Sequence, residues 1–220
     1  RVGDIDNELP TQGITLNGGL ASQGLTIESR NLQFSSDVSV SGDSSLNALV
    51  SQAVTVDSGV SVSTQHGAHQ YQGQGADGAR AARFEMASPS ALNSETGDIL
   101  IYANDVVVDD IVTQGQTNIS SNELEVLRSI QRTGAAGISV VGTIIRQPGD
   151  VILSTEQGDI LISANNGAPA QSFEMDPGAR IQSLNGNVTV LSDSMVLALI
   201  STGGDVTLNG SSGFGAINMA

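Results

Sequence analysis

The chain is written in runs of three to five residues in which Val, Ile or Leu alternates with Ser or Thr. Examples are Ile14-Thr15-Leu16, Leu25-Thr26-Ile27, Val38-Ser39-Val40, Val54-Thr55-Val56 and Val188-Thr189-Val190. Alternation of period two puts the apolar side chains on one side of a strand and the hydroxyls on the other. β-Branched residues suit that half-buried surface. Gly, Asn, Asp and Ser fill the gaps, and they tolerate tight or left-handed turns. A Gly-Asp or Gly-Asn pair stands before a strand at Gly97-Asp98, Gly149-Asp150, Gly158-Asp159, Gly186-Asn187 and Gly204-Asp205. Strand starts recur about every seven to eleven residues, which predicts an all-β fold with very short connections.

Order also repeats at long range. Phe84-Glu85-Met86 returns as Phe173-Glu174-Met175, a shift of 89 residues, and the same shift sets Gly97 on Gly186, Ile101 on Val190 and Ile111 on Ile200. Upstream, a shift of 100 aligns Val60, Val62, Ser63 and Ala68 with Ile160, Ile162, Ser163 and Ala168. The difference predicts about eleven extra residues in the first copy, an insertion over 69–79, with the copies near 54–115 and 151–204. The segment 121–134 carries a cap, an early Glu, late Arg and a closing Gly, as a helix would. Leu124 and Val126 alternate instead, and the 89-residue shift lays the residues just before them on a strand, which favours strand.

Sandwich strands are usually longer and end in hairpin dipeptides such as Asn-Gly. Short strands, scarce hairpin signals and a long-range repeat fit stacked coils better. We therefore expect one domain over 1–220: a right-handed parallel β-helix (β-solenoid) with short strands and one inserted corner loop. Right-handedness is taken from the general preference of parallel connections. Coils of roughly 20 residues would give about 11 turns and a rod of order 50 Å.

The rhythm of GDVILSTEQGDILISANNGA (149–168) and GNVTVLSDSMVLALISTGGDVTLNG (186–210) resembles filamentous-haemagglutinin-like exoproteins, large bacterial surface and secreted proteins that include β-strand-repeat adhesins. The likeness lies in composition and spacing over nearly the whole chain. The Asn-Pro-Asn-Gly-Ile and Asn-Pro-Asn-Leu motifs of that family's secretion domain are missing, so the chain resembles an interior portion of the rod. The resemblance implies a β-helix, an extracellular or cell-surface location, a role in adhesion or matrix, and no catalytic residues.

Charge narrows the partners. Eight basic residues, all Arg, face 23 carboxylates for a net charge of −15, the reverse of what a phosphate track needs. No nucleic acid partner is expected, and no apolar run is long enough for membrane insertion. Without cysteine there is no disulfide framework. The first residue, Arg1, and the absence of a signal-like run suggest a piece of a longer repeat protein.

Candidate chemistry gathers in the inserted loop. His69, Tyr71, Gln72, Gln74 and Asp77 combine an aromatic ring, amides and an acid, a set suited to a carbohydrate or cell-surface ligand. His66 and His69 are the only histidines, and two histidines without a fixed third ligand do not make a zinc site. Asp105, Asp109 and Asp110 form the densest acidic cluster. They support an alternative reading as a β-helical carbohydrate-active enzyme, a polysaccharide lyase or hydrolase. The expected function is a non-enzymatic structural or adhesive rod with no cofactor and no metal, capable of end-to-end self-association through its open strand edges.

Overall fold

The computed structural model describes residues 2–3, 13–74, 79–164, 168–210 and 217–219. These residues hold 23 strands and no helix, and all strand pairs are parallel. The chain winds through three faces in turn and returns to pair with the coil before it. On face 1 the inward rungs are Leu20, Val38, Val62, Leu92, Ile111, Ile130, Leu153, Ile181 and Ile200. Face 2 stacks Ile27, Ala48, Tyr71, Ile101, Ile119, Val140, Ile162, Val190 and Leu208. Face 3 stacks Leu32, Val54, Phe84, Val106, Leu124, Ile145, Phe173 and Met195. This is the expected parallel β-solenoid, and its core is these columns of like side chains.

Among the described residues face 1 has nine rungs spaced by about 22 residues, so there are about nine turns rather than 11, and eight steps of ~4.8 Å span about 40 Å along this face. The 89-residue repeat is four coils: Phe84 and Phe173 lie on the same face with Val106, Leu124 and Ile145 between them. Their glutamates, Glu85 and Glu174, take outward positions. The 100-residue alignment is corrected, because Val62 belongs to face 1 and Ile162 to face 2. Neighbouring faces share the same alternating pattern, so a slip of one face reads as a match. Four coils after His69 comes Ile160. The first copy therefore carries two extra residues before its Phe, not eleven.

Segment 121–134 is strand. Glu123–Arg132 turns Leu124 and Val126 inward and pairs with Ile99–Thr113 on one side and Ile144–Gln147 on the other. Inward burial of those two side chains outweighs weak helix-capping signals.

The corner between faces 1 and 2 explains four of the five Gly-Asp and Gly-Asn pairs; Gly149-Asp150 lies between faces 3 and 1. A Cβ on Gly97, Gly158 or Gly186 would overlap the backbone carbonyl of the coil below, so only glycine allows this approach. The acid or amide after it accepts a backbone N–H from the next coil: Asp98 Oδ1 from Gln116 at 2.7 Å, Asp159 Oδ1 from Asn187 at 2.6 Å, Asn187 Oδ1 from Asp205 at 2.8 Å. Just before the corner runs a second inward ladder, largely of hydroxyls. Ser94, Thr113 and Ser183 each accept a glycine N–H at 2.9 Å. Thr113 and Thr155 donate at 2.6 Å to the carbonyls of Gly97 and Gly158. These bonds satisfy backbone groups that the turn takes out of the sheet ladder.

Candidate functional site

Two turns have their necks at the corner between faces 2 and 3, four coils and roughly 19 Å apart. Each is closed at its neck by a backbone bond of 2.7 Å, Gly73 N–H to Ala79 O in one and Ala164 N–H to Ala168 O in the other. The first neck is tied along the rod in both directions. Gln74 Nε2 donates to Ser29 O at 3.4 Å, two coils below. Arg80 donates to Asn122 Oδ1 and Ser120 Oγ, both at 2.8 Å, two coils above.

The candidate binding residues separate. Gln74 sits at this neck, and Gln72 is half-buried on the outer side of face 2, where Gln70 donates to it at 3.1 Å. Asp77 lies outside the described residues. His69 and Tyr71 are corrected: both point into the core, 0% and 1% exposed, so neither side chain is offered to a ligand. They occupy strand His69–Gln72, with His69 between Leu46 and Ile99 and Tyr71 between Ala48 and Ile101. The insertion thus begins after Gln72. A signal for this was legible, since His-Gln-Tyr-Gln alternates like every other strand, with the glutamines in the outward phase.

Tyr71 anchors an aromatic cluster, 6.3 Å from Phe34 edge-on and 4.9 Å from Phe84 between ring centroids. Its hydroxyl stands 3.1 Å from His69 Nδ1, and His69 Nε2 stands 2.8 Å from the Asn93 carbonyl. A carbonyl only accepts, so Nε2 carries the proton and Nδ1 accepts from the phenol. Burial pushes the His69 pKa down to about 4 and raises that of Tyr71. Both groups are neutral at physiological pH.

The acidic residues do not assemble. Asp105 is exposed on face 3, between Arg83 and Glu123. Asp109 is fully buried at the corner between faces 3 and 1, where its Oδ2 accepts the Ser90 N–H at 2.7 Å. Asp110 opens face 1, accepts from Ser129 Oγ at 2.7 Å and pairs with Arg128 at 2.9 Å. Asp109 and Asp110 share Arg128, which is 3.8 Å from Asp109, while Asp105 stands apart on its own face. His66 is exposed at the corner between faces 1 and 2, 3.1 Å from Thr96 Oγ1, whereas the His69 side chain points into the core. Among the described residues no three His, Cys, Asp or Glu side chains are grouped to hold a metal ion.

Sequence reasoning missed the outer side of face 1. Two open grooves of about 500 and 530 Å³ meet there at Asn93 and Val112. The outward ladder through Ser39, Ser63, Asn93, Val112 and Gln131 lines them. Each of these residues except Val112 is visible in sequence as the polar partner of an alternating pair. Their alignment into one strip needs the coil register, which the misplaced insertion obscured.

Among the described residues no helix is long and apolar enough to cross a membrane. Comparison with family models, curated proteins and solved structures yields no match for this chain, so its function rests on the geometry above.

Proposed function

We propose that this chain is a non-enzymatic segment of a bacterial surface or secreted protein, a rigid rod serving adhesion, matrix or filament formation outside the cell. The supporting observation is how its polar side chains are used. The Gly-Asp pairs and inward hydroxyls hold one coil to the next, and the acids divide among two faces and a buried corner. The remaining outward groups are mostly hydroxyls and amides at a regular ~4.8 Å rise, a surface suited to hydrogen-bonding a carbohydrate or cell-surface ligand rather than to acid–base chemistry. Net charge of −15 opposes side-by-side aggregation and leaves stacking of strand edges, end to end, as the route to self-association.

The test is to incubate the chain with neutral and acidic polysaccharides, with and without calcium, and with bacterial and animal cells. Retention and product release are measured together. Retention on at least one surface without bond cleavage is expected. Exchanging 73–80 for the shorter 164–169 turn should leave folding intact, because both necks close with the same backbone bond, and should weaken retention several-fold. Polysaccharide turnover that disappears in Asp105→Asn or Asp110→Asn would overturn the reading in favour of the enzyme. Retention nowhere would remove its adhesive part.

A further inference from the structure

His69 is out of character with its ladder. The other inward rungs at its position are Leu25, Leu46, Ile99, Thr117, Ile138, Ile160, Val188 and Val206, none of them ionisable. Both ring nitrogens are committed to a neutral pattern, Nε2–H to the Asn93 carbonyl and Nδ1 to the Tyr71 phenol. A second proton on Nδ1 would oppose the phenol O–H and place a cation between Leu46 and Ile99, beside the Tyr71 ring.

Nothing charged faces the ring from the strands packed around it. Leu25–Phe34 carries Glu28 and Arg30 in its outward phase. Ala81–Met86 carries Arg83 and Glu85 outward, paired with each other at 2.9 Å. Leu46–Val56, Ser61–Thr64 and Ala91–Ser94 have no ionisable residue. On Ile99–Thr113, Asp105 is outward, and Asp109 and Asp110 are held by Ser90, Ser129 and Arg128 at another corner. Tyr71, raised by burial, stays a neutral phenol.

We propose that the His69–Tyr71 pair is an acid-sensitive latch: protonation of His69 opens the coil between Val62 and Leu92, which carries the 73–80 turn, while the coils from Ile130 onward stay folded. Repeat architectures permit such local opening because each coil contacts only its neighbours. The sign follows from linkage. The opened coil gives His69 its ordinary pKa of 6.5, whereas the closed coil holds it near 4. Opening therefore takes up a proton below pH 6.5, and the latch's stability, fully present above that pH, is lost as pH falls towards 4. The opening equilibrium rises about tenfold per pH unit across that window, on the order of 100-fold between pH 7.5 and 4.5.

Native-state hydrogen exchange on the whole chain tests this, after correction for the intrinsic pH dependence of exchange. The amides of 69–72 should gain about 100-fold in opening between those pH values, and those of Ile160–Ser163 far less. His69→Gln keeps a neutral donor and acceptor and should flatten the response. His69→Leu, which copies the rungs above and below, should do the same, and serves if the glutamine variant folds poorly. Tyr71→Phe should keep the acid response, because the imidazole still titrates. An unchanged response in either His69 variant, or a wild-type gain below about threefold, overturns the latch. The result is independent of the adhesive reading, since no ligand enters the measurement.

Discussion

Gly158→Ala is expected to destabilise the rod by about 3 kcal/mol or more, at the upper end of overpacking costs, because the new methyl meets backbone. The added Cβ would fall inside the contact distance of the Ala136 carbonyl and crowd the Gly137 Cα. No side chain is available to swing aside, so the coil must lift off its neighbour. Lifting breaks more than one contact, since Thr155 and Ser183 both donate to the Gly158 carbonyl, at 2.6 and 2.9 Å. Gly18→Ala is the control: nothing lies within 4 Å of its Cβ, and its effect should stay within about 0.5 kcal/mol. Thermal unfolding of the two variants should differ by roughly 5–10 °C for a chain of this size. Equal midpoints would mean that the stacked-glycine corner does not hold the coils together.

The second large effect is expected at Arg132, which is 1% exposed and stands in the ladder that holds Thr113 below it and Thr155 above. Among the described residues its guanidinium forms no ion pair with a carboxylate. It donates to three backbone carbonyls instead, those of Gln114, Gly115 and, at 3.0 Å, Gly134. The corner here runs from Thr133 to Gly137, where the coil below needs only Gln114 to Gln116. The longer corner leaves the Gln114 and Gly115 carbonyls of the coil below out of reach of a hydroxyl, and the planar fork of an arginine spans the gap. Burial lowers its pKa, and the field of Asp98 works against that.

Arg132→Met keeps most of the volume and removes every donor. Leaving these buried carbonyls unpaired should cost about 3 kcal/mol. Arg132→Thr restores the ladder's own residue, but its hydroxyl does not reach these carbonyls and its volume is smaller, so a loss at least as large is expected. Chemical denaturation of both variants distinguishes the cases. Methionine as stable as wild type would mean that the guanidinium's own desolvation cost cancels its three bonds.

Much of this architecture was legible because the alternation code is local. Runs such as Val38-Ser39-Val40 and Val188-Thr189-Val190 state which side chains go inward, and both strands lie where the pattern puts them. The recurring Gly-Asp was readable as turn chemistry, and the 89-residue shift was a true four-coil period. Register among faces was not legible. One Val-x-Val is like another, so Val62 could be laid on Ile162 although they occupy different faces. That slip moved the loop boundary back over His69 and Tyr71. Their polar atoms made them look like ligand-binding groups, whereas two internal hydrogen bonds and an aromatic cluster let them replace aliphatic rungs. Arg132 was invisible for a similar reason: its partners are backbone carbonyls, and no sequence pattern records those. The acidic triplet failed as a cluster because a bulge between Val108 and Asp110 turns Asp109 inward at a corner.

The chain has no cysteine of its own, so paired spin labels can be placed without side reactions at outward positions of face 1. Pulsed electron paramagnetic resonance on the pairs Ser39/Ser154 and Ser39/Ser201 counts rungs directly, five in the first and seven in the second. Parallel stacking predicts mean separations of about 24 and 34 Å, growing by ~4.8 Å per coil. Separations that do not grow with rung number, or a shorter distance for the Ser201 pair, would contradict the stacked-coil account.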